Sequence, residues 1–529
     1  LATGETTGPA LPIRSLLSPD CFPHPADSIE LIETHISWVL LAGDFAYKLK
    51  KPVNLGFLDF TTLERRAHFC AEELRINRRL APDLYLDVVT LRRDGGRLRF
   101  GDEGQIIEYA VLMRRFDQDQ QLDRCLERGD FGPTEVDQIS QLIGDFHESA
   151  PEAPEDSDWG RPEVVVRSVR ENFSHLGPKL ADGSREEAVE RLRSWTEGTF
   201  ADLAPEIARR RLHGRVRECH GDLHLRNMAR IGGKIVAFDG IEFDPALRWI
   251  DVVSDSAFLV MDLESRGRRE LAWRFLNGWL RVTGDYEGLS LLRWYLAYRH
   301  MVRAKVDAIR LGQSELEPAE AGRLGARIDR HLALALEVAA GPAPRLVIAC
   351  GVSGSGKSWL SERLAERMPA VWLRSDVERK RLFGMSATER PAPERVTEVY
   401  GTDASLRTYQ RMAELAEIVL RSGLTVIADA TYLRRRDREA LVGLASRLGA
   451  PAIILACGAP MDVLEGRVRR RQRGDHDPSD ADLEVLRDQL GRRDPFAENE
   501  PTIEVETVDS LDIDLLLASI EGRLRGLSP

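Results

Sequence analysis

From Thr34 onward, apolar and polar positions alternate in short runs. ISWVLLAG, a Gly43-Asp44 turn signal and FAYKLKK together predict a β-hairpin. Over Leu63–Ala81 the apolar positions Phe69, Leu74, Ile76 and Leu80 fall among charges at helical spacing, and Pro82 ends the helix. LYLDVVTLRR, GRLRF and IIEYAVLMRRF predict a meander of strands turning at Asp94-Gly95-Gly96. Residues 117–211 read as mostly helical and charged, interrupted by a Pro/Glu/Asp-rich loop at 150–162. Short apolar segments return at CHGDLHLRN and KIVAFDGIEF, and helices follow from about Arg248 to Ala339. Beyond the proline-containing run at 340–344 the pattern changes. RLVIACG, AVWLRSD, LTVIADA and APAIILACG are short apolar runs separated by helical stretches, the alternation that builds a parallel α/β sheet.

This patterning divides the chain into a mobile tail over 1–29, an α+β domain over 30–339, a linker at 340–344 and an α/β domain over 345–529. A length of 529 residues fits more than one domain, and 43% hydrophobic with 30% charged residues is a globular balance. No run of eighteen apolar residues is free of charge, and the first residues lack the basic start and apolar core of a signal peptide, so a cytoplasmic protein is expected. The six cysteines are dispersed with no CxxC pair, which argues against a zinc ribbon or a disulfide framework. A net charge of −12 argues against nucleic acid or a membrane surface as partner. Only eight of the 74 basic residues are lysine, so each lysine is informative: three crowd into Lys48-Leu49-Lys50-Lys51 and one is Lys357.

Gly351-Val-Ser-Gly354-Ser-Gly356-Lys357-Ser358 matches GxxxxGK[ST] directly after the strand LVIAC and before a helical pattern. The glycines let backbone N–H groups curl around phosphate oxygens, Lys357 reaches the β/γ-phosphates and Ser358 can hold Mg²⁺. Asp376 and Arg379, at the end of the second apolar run, suit a base for a substrate hydroxyl and a phosphate contact. As a plain alternative they are a helix cap and a surface arginine. Asp429 ends the run LTVIAD, as expected of a carboxylate near Mg²⁺, and LEGRVRRRQRGDHD places Arg467 and Arg471 at helical spacing. In this order the set resembles the P-loop kinases grouped with gluconate kinase, zeta toxins and polynucleotide kinase, over about residues 345–500. The resemblance implies Asp376 as base, Arg379 beside the transferred phosphate and Arg467 and Arg471 in a lid. An RNA-binding reading of the arginine run is opposed by Asp475, Asp477, Asp480 and Asp482 just after it.

In the first domain, His220-Gly-Asp222-Leu-His-Leu-Arg-Asn227 followed by Asp239 has the spacing of kinase-type phosphotransfer. There one Asp serves the accepting hydroxyl, and an Asn and a second Asp hold Mg²⁺. A metallohydrolase using His220, Asp222 and His224 is the alternative, and it leaves Asn227 and Asp239 without roles. Upstream, Ala46-Tyr47-Lys48 and Glu73 supply the strand lysine and helix glutamate that a kinase-like fold requires, and Tyr109–Met113 falls where the hinge carrying the adenine belongs. Taken in order, these residues resemble the aminoglycoside phosphotransferase family over roughly 30–335. The Gly-rich loop is reduced to Gly43-Asp44 and DFG is replaced by Asp239-Gly-Ile-Glu242, both away from protein kinases.

The whole resembles bacterial fusions of a protein-kinase-like two-lobed domain with a P-loop domain whose parallel sheet is flanked by helices. The implied function is a bifunctional phosphotransferase that uses ATP or GTP with Mg²⁺ to phosphorylate hydroxyls of small molecules, one site per domain. Two alternatives stand: one site catalytic and the other regulatory, or a polynucleotide-kinase-like end-processing enzyme. The oligomeric state is left open.

Overall fold

The computed structural model describes residues 11–56, 58–176, 180, 183–312, 316–472, 478–508 and 511–526. Cα packing divides the chain into two units: one comprising Leu1–Gln138, Phe146–Arg167 and Pro205–Asp262, the other Ile139–Asp145, Ser168–Ala204 and Leu263–Pro529. The division does not fall at residues 340–344, because the helices after residue 262 pack with the α/β part.

In the first unit six antiparallel strands form one sheet: β1 (Ile29–Glu33), β2 (Ser37–Ala42), β3 (Phe45–Lys50), β4 (Tyr85–Asp94), β5 (Arg97–Phe100) and β6 (Gln105–Arg114), in the order β1-β2-β3-β6-β4-β5. The helix Leu63–Asn77, capped by the Thr62 hydroxyl accepting from Arg65 N at 3.3 Å, packs on one face through Cys70 against Tyr85 and Val111. The opposite face carries Leu40, Tyr47, Leu49 and Ala110.

Residues 11–28 cover that second face and are not a mobile tail. Two 3₁₀ turns, Ile13–Leu17 and Pro19–Cys21, bury Leu16 and Cys21, and the Phe22 ring lies 5.0 Å from that of Tyr47. The Gly, Thr and Pro content hides a few well-spaced apolar anchors, and burying them offsets the entropy of ordering an irregular segment. Residues 1–10 of the expected tail lie outside the described residues. The remainder of the first unit carries two short antiparallel pairs: β7 (Val216–Glu218) with β10 (Trp249–Asp251), and the hairpin of β8 (Met228–Ile231) with β9 (Lys234–Ala237).

The second unit holds an all-parallel sheet of β11 (Leu346–Cys350), β12 (Ala370–Arg374), β13 (Thr425–Asp429), β14 (Ala452–Gly458) and β15 (Thr502–Glu506), in the order β12-β13-β11-β14-β15. Every residue of β11 and of β13 is buried, as a parallel strand covered on both faces requires. The four apolar runs read from the sequence are four of these strands. β15 (TIEVE) is an edge strand with only Val505 buried, so its alternating glutamates conceal it. Among the described residues no helix is long and apolar enough to cross a membrane.

Candidate active sites

In the first unit, strand alternation turns Lys48 and Lys50 to the same face of β3, toward the helix Leu63–Asn77. Both ammonium groups reach the buried Glu73, Lys48 at 2.7 Å from Oε1 and Lys50 at 2.8 Å from Oε2. They then diverge. Lys48, 15% exposed, lies 2.5 Å from Asp239 Oδ1, while Lys50, fully buried, pairs with Glu242. Lys48 and Glu73 are therefore brought together with Asp239 as the spacing anticipates. Lys50 and Glu242 form a second, interior pair that sequence reasoning missed; its only signal was the lysine two residues on.

The electrostatics follow from this crowding. Burial alone would raise the Glu73 carboxyl, but Lys48 and Lys50 outweigh it and hold it at about 2. Burial would lower Lys48, and Asp239 and Glu73 outweigh that and hold it well above its ordinary value. Glu242 moves the other way: burial raises it more than Lys50 lowers it, and the Glu73 charge adds to the rise.

Asp239 sits at φ 61, a left-handed conformation uncommon outside glycine. Its N–H donates to the Tyr85 hydroxyl at 3.1 Å, and the next N–H, of Gly240, donates to Asn77 Oδ1 at 2.8 Å. The helix that supplies Glu73 thus also fixes the turn that supplies Asp239. In the His220–Asn227 loop, Asn227 Nδ2 donates to the Asp222 carbonyl and to Asp222 Oδ2, both at 3.1 Å, and His224 Nε2 lies 3.3 Å from the same carboxylate. The loop is held from beneath by the helix Val252–Ser265. Asp255 accepts from His220 N at 3.1 Å and Gly221 N at 2.9 Å and pairs with His147 at 3.1 Å, and Asp262 accepts from Leu225 N at 3.0 Å. These two acids, seven residues apart on one helix face, were not anticipated; acids recurring at helical spacing in VVSDSAFLVMD are the signal that could have found them.

The hydrolase alternative does not assemble. His220 uses Nε2 on the Phe238 carbonyl at 3.0 Å and Nδ1 on Asp222 N at 3.3 Å, and burial lowers its pKa, so it is a neutral structural imidazole. Among the described residues, the group close enough to share a metal is instead His147, Cys219 and Asp255, whose carboxylate is already engaged in bracing the loop. The segment expected as the hinge lies inside the sheet. Tyr109–Met113 is the interior of β6, with Ala110–Met113 paired to both β3 and β4. The chain leaves the sheet at Arg115, whose N–H donates to the Asp44 carbonyl at 2.8 Å, and a cavity of about 360 Å³ opens there between Leu41, Asp44, Phe116 and Asp117.

In the second unit the loop 351–356 joins β11 to the helix Lys357–Arg367, so its N–H groups and the helix dipole converge. Gly354 and Gly356 take φ values of 80 and 78, and a Cβ there would meet the Leu464 carbonyl or the Thr507 hydroxyl. The loop is braced from outside. Thr507 Oγ1 donates to the Ser355 carbonyl at 2.6 Å, Arg467 Nη1 to the Gly354 carbonyl at 3.3 Å, and Gln489 accepts from Ser353 N at 2.7 Å. Within this curl the Ser355 hydroxyl is buried without a hydrogen-bond partner. An anion cradle of this kind, shaped by positive-φ glycines and holding an unsatisfied hydroxyl, fits a nucleotide phosphate.

Asp429 ends β13 level with Ala349 and Arg374 of its neighbours. Burial raises its carboxyl against the lowering effect of Lys357 and Arg374, while the Ser358 hydroxyl and the Trp372 indole, 3.2 Å away, hydrogen-bond it. Ser358 and Asp429 are thus paired as a Mg²⁺ site needs. Asp376 and Arg379 share one face of the helix Ser375–Leu382, and the Arg379 guanidinium lies over the Tyr400 ring at 5.5 Å and donates to the Val399 carbonyl at 3.2 Å. The next residue, Lys380, is fully buried and 3.2 Å from Asp480, to which the Tyr400 hydroxyl also donates. Arg467 lies on the helix Met461–Gln472 and points to the phosphate loop. Arg471 follows one turn later, and residues 473–477 of the expected lid lie outside the described residues.

A family model described as an AAA domain matches residues 346–496. A choline/ethanolamine kinase family protein from Mesorhizobium loti covers 62% of this chain and 95% of its own at 13% identity and a TM-score of 0.36. A gluconokinase from Sinorhizobium meliloti covers 35% and 94% at 20% identity and a TM-score of 0.25. The uncharacterized protein Rv2004c of Mycobacterium tuberculosis is 31% identical over 471 residues, 88% of this chain and 91% of its own. Identity at that level across nearly all of both sequences means that the chain belongs to the family of this mycobacterial protein.

Proposed function

We propose that the protein is a bifunctional small-molecule kinase that transfers the γ-phosphoryl group of ATP to a hydroxyl at each of two sites, the two kinase segments meeting at 340–344. The observation that supports this reading is two separate side-chain clusters whose residues suit phosphotransfer. One is Lys48–Glu73–Asp239 with the bonded Asp222–Asn227 pair; the other is the phosphate loop with the Ser358–Asp429 pair. At the first site Lys48, held by Glu73, binds phosphate oxygens. Asp222, fixed by Asn227, takes the proton of the accepting hydroxyl, and Asn227 and Asp239 hold Mg²⁺. At the second, the N–H groups of Gly351–Ser358 and Lys357 bind the phosphates, Asp376 takes the acceptor proton, and Arg379, Arg467 and Arg471 meet the charge of the transferred group. Mg²⁺ bound at either site neutralises charge on the phosphates during transfer. Positioning and electrostatics supply the catalysis in both.

A small hydroxylated metabolite is the acceptor this reading favours, because acids flank the arginine run and the chain is acidic. The test is mass-spectrometric detection of metabolites that gain a phosphoryl group when the protein, ATP and Mg²⁺ are added to a cell extract. One product lost on Asp222→Asn and a different one lost on Lys357→Ala are expected. A single product, sensitive to only one of the two substitutions, would leave one site without chemistry.

A further inference from the structure

The helix Ser375–Leu382 has two faces. Asp376 and Arg379, three residues apart, point one way, and Glu378 and Arg381, also three apart, point the other. The back face is held by residues far upstream. The buried Tyr286 hydroxyl donates to Glu378 Oε1 at 3.1 Å, in a site where Glu378 is 1% exposed. Arg381, 3.3 Å from the other Glu378 oxygen, donates to the Arg281 carbonyl at 2.8 Å. Its guanidinium occupies the space a side chain would fill at Gly284, the left-handed residue that ends the helix Arg269–Thr283.

The same upstream helix closes the edge of the sheet. Outermost strand β12 would present unpaired backbone groups. Asn277 satisfies two of them, donating to the Ala370 carbonyl at 2.9 Å and accepting from Trp372 N at 2.8 Å, so its amide acts as a one-residue strand. Arg274 adds a 2.6 Å ion pair to Glu366 on the helix that follows the phosphate loop. Trp372 in turn holds Asp429. The helix Ser375–Leu382, the β12 edge and the helix Lys357–Arg367 therefore each have a support drawn from residues 269–288.

We infer that this upstream segment is a working part of the P-loop kinase site, with Tyr286 and Asn277 as positioning residues that set the acceptor helix and the β12 edge. The functional meaning rests on the kinase reading above; the docking does not. A buried carboxylate that loses its hydrogen-bond donor is left partly unsatisfied, which costs about tenfold in the local opening equilibrium.

Hydrogen exchange on the full chain tests the docking without reference to activity. Tyr286→Phe, and independently Glu378→Gln, should speed amide exchange in 375–382 about five- to tenfold, and Asn277→Leu should do so for 370–374. Unchanged exchange in all three variants would overturn the inference. Positioning is tested by the ATP hydrolysis that Lys357→Ala removes. Tyr286→Phe should lower its kcat several-fold with little change in KM for ATP, and should add nothing in an Asp376→Asn background. An equal loss in that background would show that Tyr286 does not act through Asp376. If Lys357→Ala removes no hydrolysis, the kinase reading of this domain fails while the exchange result still decides the docking.

Discussion

Glu73 is the residue on which the first site turns, because one carboxylate holds two lysines of different purpose. Its folded value of about 2 lies below the ordinary 4.5, so the stability it contributes is fully present above about pH 4.5 and is lost as pH falls toward 2. That difference corresponds to about 3 kcal/mol at neutral pH. Urea unfolding of Glu73→Gln should show a large deficit against the native protein at neutral pH, and one that shrinks as pH is lowered through this window. A deficit independent of pH would mean that the lysines do not stabilise the ionised form. Glu242 has the opposite sign: its raised value means that ionisation in place is unfavourable, so its contribution diminishes as pH rises through its titration. Glu242→Gln should therefore cost less stability than Glu73→Gln at neutral pH. Asp222, bonded to Asn227 at 3.1 Å, keeps an accepting oxygen of the same size on substitution by Asn. Asp222→Asn should leave folding intact and lower turnover at the first site by ~10² or more, read with the metabolite that this site phosphorylates. Turnover at the native rate would remove Asp222 from the role of base.

At the scale of elements, the phosphate loop depends on two neighbours that reach it from other strands and helices. Thr507, just past β15, and Arg467, on the helix Met461–Gln472, hold the carbonyls of Ser355 and Gly354, so that the loop N–H groups face inward. Thr507→Val should weaken ATP binding to the P-loop site about tenfold by calorimetry in an Asp222→Asn, Asp239→Asn background, the scale of one lost buried hydrogen bond. Binding at native strength would show that the loop keeps its shape unaided.

The loop itself, the hairpin β2–β3 and four of the five parallel strands were legible in the sequence, because glycine spacing, period-two alternation and apolar runs are local signals. Thr507 and Gln489 were not, since each acts across a long separation in sequence and looks like an ordinary polar residue where it stands, and the partners of Asp255 and Asp262 are more than thirty residues away. The expected hinge segment proved to be strand for a related reason. Tyr109–Met113 has the hydrophobicity of a strand, and only its pairing shows that the chain leaves the sheet after Arg114. Residues 11–28 failed differently: their few anchors carry no periodicity, so only their burial identifies them as part of the sheet's cover.

For the whole molecule the central claim is that one chain holds two nucleotide sites, each complete within its own compact unit. The lysine that marks each site, Lys48 or Lys357, belongs to a different fold, so the sites should be separable by single substitutions. The most direct measurement is equilibrium dialysis with ATP and Mg²⁺ at saturating nucleotide. The native chain should approach two nucleotides per polypeptide, Lys357→Ala and Lys48→Ala one each, and the double variant none. A native stoichiometry of one, abolished by either substitution alone, would contradict the account.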